Sequence, residues 1–152
     1  MTVYIYSSYI PLPPAKVFAW HEKSGSLEKL IPPGSRLKVV VQSERNVRVG
    51  SQVVLHIKFG PWHKRWVLVR TEYVKSSRFV ERQAHGPFQS WEHKHQFSRE
   101  GKGTRYVDRV EYELPWAAFT EWIFGSRVRR KLDAWFDYRH KVVATQLRGF
   151  KR

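Results

Sequence analysis

Six consecutive segments of alternating hydrophobicity, followed by one long segment of helical period, constrain this chain more than any other feature. Leu37, Val39 and Val41 alternate with Lys38, Val40 and Gln42. After a turn expected at 46–50, Val53, Leu55, Ile57 and Phe59 alternate with Gln52, Val54, His56 and Lys58. Gly60-Pro61 breaks that run, and further strands are expected over 66–73, 79–85, 91–97 and 104–114, separated by Gly86-Pro87 and Gly101-Lys102-Gly103. Over 119–147 the period changes. Phe119, Ile123, Val128, Leu132, Trp135-Phe136, Arg139, Val142-Val143 and Leu147 recur at three- and four-residue steps, a helix of ~43 Å whose start is weakened by Gly125.

The first forty residues add one strand and two short helices. Val3, Ile5 and Ser7 alternate with Tyr4, Tyr6 and Ser8 up to Pro11. Pro13-Pro14 then opens a helix at its first turn, where the missing N–H costs nothing, and Val17, Phe18 and Trp20-His21 form its apolar side. Gly25 is expected to stop it, and Ser26 to cap a second helix through Leu27, Leu30 and Ile31, closed by Pro32-Pro33-Gly34. Six consecutive antiparallel strands curl strongly, and one amphipathic helix can fill the concave side. The expectation is an α+β helix-grip fold in a single domain over 1–152: a curved seven-stranded antiparallel sheet around a long C-terminal helix. A sheet gripping one helix leaves the space between them incompletely filled, and that gap is where a ligand is expected.

Side-chain parity selects the interior. Trp91, His93, His95 and Phe97 share one strand face, while Glu92, Lys94 and Gln96 share the other, so the first set points inward. Tyr106, Asp108, Val110 and Tyr112 face inward on the last strand, and Phe79, Glu81 and Gln83 on the strand before Gly86. Arg139 lies one turn past Trp135 and Phe136 on the long helix. Buried ionisable groups are costly unless paired, so Asp108 is expected to bond a histidine or Arg139. Three roles stay open for this polar set: a structural network that fixes strand register, groups that orient a ligand, or acid–base catalysis by His93, His95 and Asp108. His93 and His95 are ~6.7 Å apart on one face, a spacing that permits chelation with Asp108 or Glu81, but no metal is assigned because a His-x-His pair arises easily by chance.

Composition narrows the function classes. Hydrophobic residues at 41% and charged residues at 27% describe a globular chain. Without cysteine there is no disulfide, thiolate metal site or cysteine nucleophile. Apolar runs are too short to span a membrane, and no secretory leader is recognised, so a cytoplasmic location is the default expectation. No nucleotide-binding glycine motif is present, and no cofactor is expected. The outlying quantity is the net charge of +15, which attracts nucleic acid or anionic lipid non-specifically through counterion release. Its densest cluster is Arg127, Arg129, Arg130 and Lys131.

The segments Val17-Phe18-Ala19-Trp20-His21 and Leu27-Glu28-Lys29-Leu30-Ile31-Pro32-Pro33 occur in an order that, with three later stretches, resembles one family. The later stretches are Gly86-Pro87-Phe88 with Trp91-Glu92-His93-Lys94-His95-Gln96-Phe97, then Asp108-Arg109-Val110-Glu111-Tyr112-Glu113-Leu114-Pro115, and Phe136-Asp137-Tyr138-Arg139-His140. Together they resemble the polyketide cyclase/START-like (SRPBCC) superfamily, in particular its small bacterial ligand-binding-like branch. The resemblance implies the helix-grip fold. It also implies a range of roles that includes lipid carriers, hormone binders and cyclases. An aromatic residue often follows the double proline in that family; here Gly34 follows, which would widen a cavity mouth.

The leading expectation is a binding module for a small apolar or amphipathic molecule, contacted by Trp66, Glu81, Gln83, Trp91, His93, His95, Asp108, Tyr112, Trp135 and Arg139. Trp116 and Trp122 could also stack on a planar ligand. The alternatives are a cyclase-, dehydratase- or isomerase-type enzyme using the His–Asp set, and a basic surface that binds nucleic acid or anionic lipid.

Overall fold

Proline and glycine punctuate the N-terminal forty residues as their chemistry requires. Pro11 follows β1 (Thr2–Ile10), and Pro14 occupies the first turn of α1 (Pro14–His21), which buries Val17, Phe18 and Trp20. The second helix, α2 (Ser26–Lys29), departs from expectation. Gly25 itself is the N-cap in the left-handed region at φ 78°, and Ser26 caps nothing. Its hydroxyl instead donates to the His21 carbonyl at 2.9 Å, tying α2 back to the end of α1.

The computed structural model describes residues 1–42, 48–59 and 61–148, without the side chains at 41, 42, 59 and 117–124. The first two positions of the turn expected at 46–50, and the side chains of Phe59, Phe119, Trp122 and Ile123, lie outside that set. Six further strands follow α2: β2 (Leu37–Gln42), β3 (Gln52–Phe59), β4 (Trp62–Val74), β5 (Arg78–His85), β6 (Ser90–Glu100) and β7 (Gly103–Glu113). The sheet runs β1-β7-β6-β5-β4-β3-β2, every neighbour antiparallel, so the first strand is carried across to close against the last. Register shifts at Val39/Val41, Val67/Leu68 and Arg70/Glu72 bend the β2–β5 side, as bulges do. One uninterrupted helix, α3 (Ala117–Arg148), ~48 Å long, runs through Gly125 without a break. This is the helix-grip fold.

Parity places the interior as expected. Trp91, His93, His95 and Phe97 are all buried on β6, and Tyr106, Asp108, Val110 and Tyr112 on β7. Leu132, Phe136, Arg139, His140, Val143 and Leu147 form the buried stripe of α3, at steps of one, three and four residues. Two expectations fail at the surface. Trp116 is 85% exposed and therefore contacts no interior ligand, and Gly34 lies exposed with open space around it and lines no described cavity.

The core is divided. One apolar cluster gathers Tyr4, Trp66, Trp91, Tyr112, Leu132 and Phe136, and a second gathers Phe18, Phe79, Phe97, Tyr106, Val143 and Leu147. Along β1, β4, β6, β7 and α3 the inward row begins in one cluster and ends in the other, and polar residues occupy the step between. Those residues are Ser8, Arg70, His93 with His95, Asp108, and Arg139 with His140. A polar belt therefore crosses the middle of the molecule.

Candidate functional site

The belt is organised around Asp108, which is fully buried at 0% exposure. It sits directly opposite His95 in the β6–β7 register, and β1 brings Ser8 opposite its neighbour Tyr106. His93 Nε2 lies 3.0 Å from Asp108 Oδ1, while His140 Nε2 and the Tyr106 hydroxyl lie 3.0 and 2.8 Å from Oδ2. His95 Nδ1 is 2.7 Å from Oδ1, close in distance but not aligned as a hydrogen bond. Burial alone would push the Asp108 carboxyl up. The adjacent His95 and His93 imidazoles and the hydrogen bonds from His140 and His93 outweigh it and hold the group well below the usual carboxylate range.

An ionised Asp108 fixes the protons around it. His140 donates from Nε2, which leaves Nδ1 to accept the Ser8 hydroxyl at 2.6 Å. The single Tyr106 proton goes to the carboxylate. The Tyr106 oxygen also hydrogen-bonds Arg139 and lies 3.2 Å from His21 Nε2. His21 donates from Nδ1 to the Val17 carbonyl at 2.9 Å, and its ring is enclosed by Phe79, Phe97 and Tyr106. Burial lowers His21 to about 4 and takes His95 well below the ordinary imidazole range, so both rings are neutral at neutral pH. Asp108 does pair with histidine, as expected, but its alternative partner Arg139 reaches it only through the Tyr106 hydroxyl.

Two small cavities flank this network, between the sheet and the helices. One, of about 30 Å³, is bounded by the polar groups of His21, Arg70, Glu81, His95 and Arg139, together with Leu30 and Phe79. The other, also about 30 Å³, is bounded mainly by Trp66, Trp91, Trp135, Leu55 and Leu68, with His93. Leu27, Val53, Glu81 and Arg139 border both, so they form the wall between an aromatic half and a polar half. Each has room for one or two waters, an order of magnitude below the space a small-molecule ligand fills. Among the described residues the space between sheet and helix is thus fuller than the gap expected from the element order, because large aromatic side chains from sheet and helix meet across it.

Of the residues expected to touch a ligand, Trp66, Glu81, Trp91, His93, His95, Trp135 and Arg139 border these cavities. Asp108, Gln83 and Tyr112 do not. Asp108 stands behind the histidines. Gln83 instead braces the β5–β6 connection through the Phe88 backbone, at 2.8 Å to its carbonyl, and Tyr112 packs against Phe88 and Trp91. Arg70, His21 and Leu27 belong to the site and are absent from the expected set. For Arg70 a signal exists, since it continues the inward row of Trp66 and Leu68. It pairs across the strands with Glu81 at 2.9 Å and lies over the Phe79 ring at 4.1 Å. His140 falls four residues past Phe136 and three before Val143, the helical step that buries it. Three donor atoms of His93, His95 and Asp108 lie within 4.8 Å of one another, the constellation weighed from sequence as a possible chelate. Here those atoms face each other.

The model of the family described as polyketide cyclase / dehydrase and lipid transport matches residues 10–136 of this sequence. The chain belongs to that family. Solved structures with the same fold include a protein from Thermus thermophilus, at TM-score 0.76 and 19% identity over 99% of this chain and 100% of that one. A protein from Chromobacterium violaceum aligns at TM-score 0.69 and 14% identity over 95% of each chain. A nucleoside-diphosphate sugar epimerase from Corynebacterium glutamicum aligns at TM-score 0.71 and 24% identity, over 95% of this chain but 29% of the epimerase chain. No curated protein matches in sequence. At these identities the likenesses establish the fold of this family member. The family description leaves open whether a member transports, binds or transforms its small molecule.

Proposed function

We propose that this protein binds a small amphipathic molecule between the sheet and α3, at the two cavities separated by Leu27, Val53, Glu81 and Arg139. The observation that carries the reading is the composition of that wall. Three tryptophans and several aliphatic side chains stand on one side, and a few buried polar groups on the other, the mixture that orients a ligand inside an apolar pocket. A cavity this small admits such a ligand only by widening. The half-buried Leu27 on the four-residue α2, and Val53 on β3, are the side chains best placed to give way. Proton transfer by the His–Asp set has less support, because Asp108 borders neither cavity and neutral His95, held well below its ordinary range, is a weak base.

The test is a fluorescence titration that follows Trp66, Trp91 and Trp135 as an apolar probe is added. Binding is expected to saturate at one site per chain and to raise the thermal midpoint with probe concentration, as mass action requires for a ligand of the folded state. Filling the wall with Leu27→Trp should abolish it. Signals that rise without saturation for every apolar probe, and that Leu27→Trp leaves unchanged, would falsify the reading.

A further inference from the structure

Arg139 is buried to 5% exposure, yet among the described residues no carboxylate lies within ion-pair distance of its guanidinium. Its hydrogen-bond partner is the neutral Tyr106 hydroxyl, whose proton is committed to Asp108. Its Nε has no partner, and the guanidinium sits over the Trp135 and Phe136 rings at 5.6 and 5.5 Å. The other buried arginine of the belt is treated differently. Arg70 has a direct carboxylate, Glu81, although its own Nε and Nη1 also lack partners. Buried cations are normally paired, and a guanidinium with free N–H groups is matched in shape to a carboxylate. Among the described residues, the orphaned arginine and indole nitrogens at this site are also all donors. Besides those of Arg70 and Arg139 they are the indole N–H groups of Trp66 and Trp91, both on the wall of the aromatic cavity. One other nitrogen there, His95 Nδ1, already faces the Asp108 carboxylate at 2.7 Å. A ligand that completes this site supplies acceptor oxygens, and a negative charge beside Arg139.

We propose that the ligand is an amphipathic carboxylic acid whose carboxylate docks on Arg139, at the wall common to both cavities, with its apolar body against Trp66, Trp91 and Trp135. This rests on the ligand-binding reading above and narrows it to a substrate class. Glu81 shapes the specificity: it borders both cavities and already occupies Arg70, so a second carboxylate is steered to the arginine without one.

The experiment compares acids with their neutral, near-isosteric amides. Decanoate and naphthalene-1-acetate, with decanamide and naphthalene-1-acetamide, are titrated by calorimetry into the wild-type protein, Arg139→Met and Arg139→Gln, at two salt concentrations. At least one acid should bind saturably and about tenfold or more tighter than its amide in the wild type, as expected for a desolvated charge-assisted pair. Both Arg139 variants should erase that preference while leaving amide affinity within about threefold. Equal wild-type affinity for acids and amides overturns the inference and leaves the ligand-binding function standing. A preference that survives in a folded Arg139 variant, or that salt alone removes, assigns the carboxylate to the basic surface and also overturns it. Saturable binding of neither acid nor amide overturns both readings. The wild-type comparison decides the matter even if neither variant folds.

Discussion

Asp108 accepts two imidazole hydrogen bonds and a phenol hydrogen bond inside a core that excludes water. Asp108→Asn keeps the volume but exchanges one acceptor oxygen for a donor that faces donors. Breaking a buried charged network from one side typically costs ~3–5 kcal/mol, and that loss is expected in chemical denaturation with or without ligand, because Asp108 borders neither cavity. Unchanged stability with lost binding would assign Asp108 to ligand orientation instead. The same belt makes the protein acid-sensitive. His21 is lowered to about 4 in the folded state, so the unfolded chain takes up a proton first as pH falls below about 6.5. That removes roughly 3 kcal/mol between about pH 6.5 and pH 4. His95 adds to the loss with the same sign. Asp108 is also depressed, so its stabilising contribution is present at neutral pH and disappears only when pH falls below the ordinary carboxylate range and through its folded value. Denaturation curves at pH 7.5 and 4.5 check the sum, and His21→Phe should shrink the difference between them.

At the scale of elements, β1 and α3 are the pieces the belt depends on, and they meet it from opposite ends of the sequence. β1 pairs with β7 along its whole length, which places Tyr4, Tyr6 and Ser8 opposite α3, where they bond Asp133, Asp137 and His140. This pairing needs Gly103. A Cβ there would come within 2.4 Å of the Ile10 carbonyl, a backbone atom that cannot step aside, and within 2.5 Å of the Tyr9 hydroxyl. Gly103→Ala is therefore expected to destabilise by about 1–3 kcal/mol and to loosen β1 selectively. Amide exchange should quicken first in β1 and the facing half of β7. Uniform quickening across the sheet would refute the local account. The long helix was readable from its period, and so was the inward parity of β6 and β7, since alternation on a half-buried strand has only two phases. The role of Ser26 was not. A serine beside a glycine reads as a cap, and only the turn geometry shows Gly25 in the capping position and the hydroxyl spent on His21.

Over the whole molecule, the charge of +15 is spread outside the belt. Arg127, Arg129, Arg130 and Lys131 are exposed along α3, and Lys58, Lys64 and Arg65 along β3 and β4. Among the described residues no helix is long and apolar enough to cross a membrane. Any association of this surface with nucleic acid should be non-specific and should weaken steeply as salt rises from about 50 to 200 mM, because phosphate contacts dominate it. A sequence-selective complex that persists at physiological salt would move the functional site to the exterior. The sequence by itself determined the architecture, because six alternating runs and one long helical period leave a curled sheet few other ways to bury its face. It also determined that His93, His95 and Asp108 turn inward, since the period of a half-buried strand fixes direction. What the tertiary structure alone decided is the pairing. Arg70 found Glu81, Asp108 collected His93, His95, His140 and Tyr106, and Arg139 has no carboxylate partner among the described residues. Parity sends a side chain into the interior but says nothing of distance along or across it, and a contact between Ser8 and His140 depends on how far the sheet curls around the helix.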